Sequence, residues 1–103
     1  MKGKVLLFAV GKNNIIADEI LESLKQKAIS DSIDENEIVI KKWIEDRRKK
    51  EGFIEIIKEI EKDSEIKAVY ISSQNDLSFN LGKIFLYKQR LSDLNITVRT
   101  LED

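Results

Sequence analysis

The chain has 103 residues, 18 basic and 19 acidic side chains, a net charge of -1, and neither cysteine nor histidine. Its size lets one hydrophobic core sustain itself without staples, so a single domain over residues 1–103 is expected. The missing residue types exclude disulfides, thiolate catalysis, imidazole acid/base chemistry and nearly every zinc site, and the balanced charge leaves no bulk positive field toward nucleic acid or an anionic membrane.

The first element is "KVLLFAV", residues 4–10, apolar on both faces and ended by Gly11. That pattern predicts a central strand covered on both sides. Its apolar run, Val5 to Val10, is too short for a signal segment, and nothing later approaches a spanning helix, so cytoplasmic residence without membrane attachment is expected. After it the period changes. Ile16, Ile20, Leu24 and Ala28 fall four apart with Leu21 beside them, an amphipathic helix opened by Asn13 or Asn14 as N-cap.

The polar stretch "SDSIDENE" predicts a turn, and Asp31, Asp34, Glu35 and Glu37 in it lack calcium-loop spacing and the central glycine such a loop needs. No metal and no cofactor are expected. "EIVIKKWI", residues 37–44, predicts a second strand. A short helix follows Gly52, with Phe53, Ile56, Ile57 and Ile60 inward. "IKAVYIS", residues 66–72, reads as a buried third strand, and after "SQNDLS" the stripe Leu81, Ile84, Phe85, Lys88, Leu91 and Leu94 predicts a long third helix. "ITVRTLE", residues 96–102, closes as a fourth strand.

The order βαβαβαβ predicts a three-layer α/β domain, a mostly parallel four-stranded sheet with helices on both faces, since right-handed crossovers leave few other arrangements. Ligands of such sheets sit at the carboxyl ends of the strands, here the segments 11–14, 45–52 and 72–79. In the first, Gly11-Lys12 suggests a phosphate loop, but the full motif needs glycine at position 6 and Ser or Thr at 13, where this chain has Leu6 and Asn13. In the second, Lys41, Lys42, Arg47, Arg48, Lys49 and Lys50 surround Trp43, a footprint for weak nucleic-acid contact, diluted by Glu45, Asp46 and Glu51. In the third, Ser72 or Ser73 would need a base to act as nucleophile, and Lys12 is the only candidate.

The whole pattern resembles the N-terminal catalytic domain of the serine recombinases, the resolvase and invertase family. "KVLLFAVGKNN" sits where that family has an apolar strand followed by Tyr-Ala-Arg-Val-Ser. "KKEGFIEIIKEIEKDSEIKAVYIS" resembles its Arg-x-Gly-Leu segment, helix and buried strand. "NDLSFNLGKIFLYKQRLSDLNITVRTLED" resembles the stretch that starts Asp-Arg-Leu-Ser-Arg and runs through a long helix to a last strand. The resemblance implies a resolvase-like fold and, in an active member, attack of a serine on a DNA phosphodiester with arginines stabilising the phosphoryl charge.

Matched position by position, Phe8 falls at the family's tyrosine, Val10 at the first arginine and Lys12 at the nucleophilic serine. Lys50 falls at the arginine of the second loop, Asn75 at the aspartate, Asp76 at the adjacent arginine and Phe79 at the last arginine. A one-residue shift brings the aspartate onto Asp76 and still supplies no arginine. The nucleophile is replaced, three of the four arginines have become Val, Asp and Phe, and the fourth is Lys50, so no recombinase catalysis is expected.

The family continues into a long dimerisation helix and a DNA-binding domain that these residues do not include, and only weak DNA contact is expected. The implied role is a pseudoenzyme acting through self-association or a protein partner, such as a full-length recombinase, in a mobile-element or phage setting. Two alternatives stand beside it: a recast site of Lys12, Lys50, Asn75 and Asp76 acting on a small phosphorylated or nucleotide substrate, and nucleic-acid binding through Arg47 to Lys50.

Overall fold

The computed structural model describes residues 3–44, 52–78 and 80–101. Strands β1 (Lys4–Gly11), β2 (Ile38–Ile44), β3 (Ile66–Ile71) and β4 (Thr97–Thr100) form one sheet in the order β2-β1-β3-β4, and every neighbouring pair is parallel. Helix α1 (Asn14–Ser30) joins β1 to β2, α2 (Gly52–Lys62) precedes β3, and α3 (Leu81–Asp93) joins β3 to β4. The expected α/β architecture is therefore present, with the sheet wholly parallel. Among the described residues no helix is long and apolar enough to cross a membrane.

The pleat of β1 divides the core. Leu6 and Phe8 face one way, into a cluster with Phe53 and Ile56 of α2 and Leu91 of α3. Val5, Leu7 and Ala9 face the other, against Leu21, Leu24 and Ala28 of α1. Alternate side chains of a strand point to opposite faces, so a central strand must be apolar throughout, as β1 is. The helices thus form separate layers, α1 on one face and α2 with α3 on the other.

Helix α1 begins where Asn13 Oδ1 accepts the Ile16 amide at 2.9 Å. It ends at Asp31, after which Ser32 adopts a left-handed φ of 64° and the Ile33 amide returns to the Ala28 carbonyl at 3.0 Å. Helix α3 closes the same way, with Asn95 at φ 62° and the Ile96 amide bonded to the Leu91 carbonyl at 2.9 Å. These bonds satisfy carbonyls that a helix end leaves open, and each delivers the next apolar residue back to the core.

Two expected stripes are rotated. In α1 the buried positions are Ala17, Leu21, Leu24 and Ala28, while Ile16 is exposed. Small Ala17 faces inward because α1 crosses close over Gly11, where an added Cβ would stand 2.5 Å from the Ala17 amide nitrogen. In α3 the inward residues are Ile84, Tyr87 and Leu91, while Leu81 and Phe85 are exposed. Tyr87 takes the place because its ring stacks on Phe53 of α2, with centroids 4.0 Å apart and planes 1° from parallel.

Candidate functional site

A sheet ordered β2-β1-β3-β4 reverses its winding between β1 and β3, so the segments leaving those strands turn to opposite faces and open a crevice at the strands' carboxyl ends. The first wall is Gly11-Lys12-Asn13. Gly11 is buried under α1, Lys12 and Asn13 are exposed, and Asn13 serves as the N-cap. Lys12 has no hydrogen-bond or ion-pair partner among the described residues.

The second wall is the turn Ser72–Ser78, and its own side chains hold it. Asp76 Oδ2 accepts from the Ser72 hydroxyl at 2.9 Å, the Ser72 amide at 3.2 Å and the Ser73 amide at 3.4 Å. Ser73 and Asp76 form a capping box, each side chain accepting from the other's amide, and Ser73 Oγ also accepts from the Asn75 amide at 3.2 Å. Free amides at the end of a strand are one place where an α/β crevice can grip an anion. Here a carboxylate of the same turn already fills them.

Helix α2 locks onto this wall. The Phe53 amide donates to the Leu77 carbonyl at 3.1 Å, and Leu77 is wholly buried. Gly52 makes the approach possible, since a Cβ there would overlap the Asp76 carbonyl oxygen and meet the Phe8 ring at 3.2 Å. Phe8, wholly buried beneath the crevice, stacks on Trp43 of β2 with centroids 6.0 Å apart. Ser78 is buried and its hydroxyl accepts from the Asn80 amide at 3.1 Å.

The positions matched to the recombinase active site therefore have distinct environments. Phe8 is core, Val10 is half-buried against the same cluster, and Lys12 and Asn75 are exposed. Asp76 is half-buried and engaged in its turn. Lys50 and Phe79 lie outside the described residues.

Of the basic stretch, Arg47, Arg48, Lys49 and Lys50 also lie outside the described residues. Trp43 packs with Val39 toward α2 and α3, which places Lys41 on that face of β2, whereas Lys42 lies on the α1 face. Lys42 Nζ pairs with Asp18 Oδ1 of α1 at 2.7 Å. Lys41 and Lys42 thus do not share a surface.

Sequence reading passed over the Ser73-x-x-Asp76 capping box, although its spacing is legible. The contact of the Tyr70 hydroxyl with Asp31 Oδ2, at 2.6 Å, joins residues 39 apart in the chain and left no local signal. In the acidic turn, Asp34 accepts from the Asn36 amide at 3.1 Å. Among the described residues no three acidic side chains gather closely enough to hold a metal ion.

No family model matches the chain, and no curated protein matches it. Among solved structures it is similar to the C-terminal catalytic domain of ISC1926 TnpA, an IS607-like serine recombinase. The TM-score is 0.74 at 15% identity, over 97% of this chain and 70% of that one. The chain has a serine recombinase-like fold. In that neighbour the catalytic domain is C-terminal, whereas the resemblance in sequence was to an N-terminal one.

Proposed function

We propose that the chain is a catalytically silent serine recombinase-like domain that acts through protein association in the regulation of DNA recombination. One observation carries this reading. The Asp76 carboxylate fills the amide cradle of the Ser72–Ser78 turn, where a scissile phosphate would need positive groups. Its charge repels a phosphodiester. Across the crevice, Lys12 stands at the position that the resemblance gives to the nucleophilic serine, and an ammonium cannot form a phosphoserine link. The recombinase-like fold and its two apolar clusters on either side of the sheet support a role through shape and association. A mobile element or phage is the natural setting for such a subunit.

The test mixes the purified chain with a full-length serine recombinase from the same genome and that enzyme's DNA site. The chain is expected to co-elute with the recombinase, to change the yield of recombinant product, and to form no covalent DNA adduct on a denaturing gel. An adduct formed by the chain alone overturns the silent reading. Separate elution with unchanged recombination overturns the association reading.

A further inference from the structure

Two helices on opposite faces of the sheet leave apolar side chains in solvent, and the charges around them have opposite signs. On α3, Leu81, Phe85 and Leu86 are 73%, 76% and 68% exposed. Lys88 lies one helical turn beyond Phe85 and Arg90 one turn beyond Leu86, both exposed and neither paired with an acid among the described residues. The only acid of α3, Asp93, accepts from Gln89 at 2.9 Å. Gln89 is neutral, so Asp93 keeps its charge, and with two cations to this one acid the face is apolar and net basic.

On α1, Ile15 is 71% exposed. Asp18, Glu19 and Glu22 follow it at three, four and seven residues, so all four share the helix's outer side. Asp18 is bridged to Lys42 and Glu22 accepts from Gln26, while Glu19 has no cationic partner among the described residues. This face is apolar and acidic.

Two copies meeting through α3 alone would bring two net-positive faces together, and two meeting through α1 would oppose their acids. Like charges brought together at an interface cost affinity, whereas complementary ones set partner and register. Only α3 against α1 covers both apolar patches and neutralises both sets of charge. We propose that the chain self-associates head to tail, the outer face of α3 on one copy docking on the outer face of α1 on the next. Because the two faces lie on opposite sides of the sheet, each docked copy still presents a free face. Assembly then proceeds past the dimer to a ring or an open chain. The proposal rests on the association reading above but concerns the chain alone, so its failure leaves co-elution with a recombinase to be judged separately.

Light scattering on the purified chain tests it. The weight-average mass is expected to climb past that of a dimer as concentration rises, and to fall back in high salt as the charges are screened. Phe85→Asp and Ile15→Asp each remove one face, and both side chains are exposed, so circular dichroism should report unchanged folding. Each variant alone is expected to stay monomeric, and an equimolar mixture to form one-to-one pairs and nothing larger. A wild-type chain that stays monomeric at every concentration overturns the proposal, and would leave these faces to an unrelated partner. So does a dimer that survives Ile15→Asp, since that is a two-fold α3 interface.

Discussion

The Ser72 hydroxyl donates to Asp76 Oδ2 at 2.9 Å, so the residue that a nucleophile search would single out is tied to the carboxylate that shapes its own turn. A bond to a charged acceptor is worth about 1.5–3 kcal/mol, and a neutral one nearer 1. Asp76→Ala should therefore lower unfolding free energy by about 2–3 kcal/mol, and Ser72→Ala, which loses one bond to that carboxylate, by about 1.5–2 kcal/mol. Their sum should exceed the loss in the double variant, because the two share one bond. Urea denaturation of the four proteins measures the cycle, and strict additivity would mean that the two groups do not interact.

Gly52 is set by close approach. Any Cβ at this position overlaps the Asp76 carbonyl oxygen, a backbone atom that cannot rotate away. Gly52→Ala should cost about 1–3 kcal/mol, the usual penalty for overpacking, and should perturb the Ser72–Ser78 turn. Thermal melting reads the first effect. Amide exchange at Phe53, whose N–H bonds to the Leu77 carbonyl, reads the second.

Burial, and then the nearby Asp31 carboxylate, push the Tyr70 phenol up to about 12 from its ordinary 10.0. Between those values the unfolded chain has lost the proton while the folded chain keeps it, so stability falls as pH rises through that window. The slope from this one group is about 1.4 kcal/mol per pH unit. Tyr70→Phe should be less stable at neutral pH by about 1.5–2 kcal/mol, the lost hydrogen bond to a carboxylate, and should show a shallower alkaline decline. Parallel pH titrations of Tm compare the two, and identical slopes would contradict the assignment.

Thr100 closes β4 with its hydroxyl buried and no hydrogen-bond partner for Oγ1 among the described residues. An unsatisfied buried hydroxyl costs about 1–3 kcal/mol. Thr100→Val keeps the branched shape and removes the polar atom, so the variant should gain about 1 kcal/mol in chemical denaturation. A loss would indicate that the hydroxyl is satisfied in solution.

Much of this protein was determined by local pattern. A strand buried on both faces must be apolar at every position, and β1 announces itself that way. Asn13 caps α1 because a short amide side chain before an amphipathic run reaches the first free amides. The βαβ order restricts topology through the handedness of crossovers, and the resulting fold carries the recombinase resemblance despite 15% identity.

The tertiary structure decided what depends on partners far along the chain. Periodicity names an apolar stripe on α3 but cannot say which apolar residues find a partner. Tyr87 is inward because Phe53 of α2 lies parallel to it, and Phe85, as apolar as any residue in the stripe, is left outside. The same holds for Lys42, which sequence groups with Lys41 and which the pleat sends to the opposite face, onto Asp18 of α1. Charge and hydrophobicity are properties of a residue. Burial and pairing belong to the neighbours that folding brings, and these set the state of the crevice and the character of the two outer helix faces.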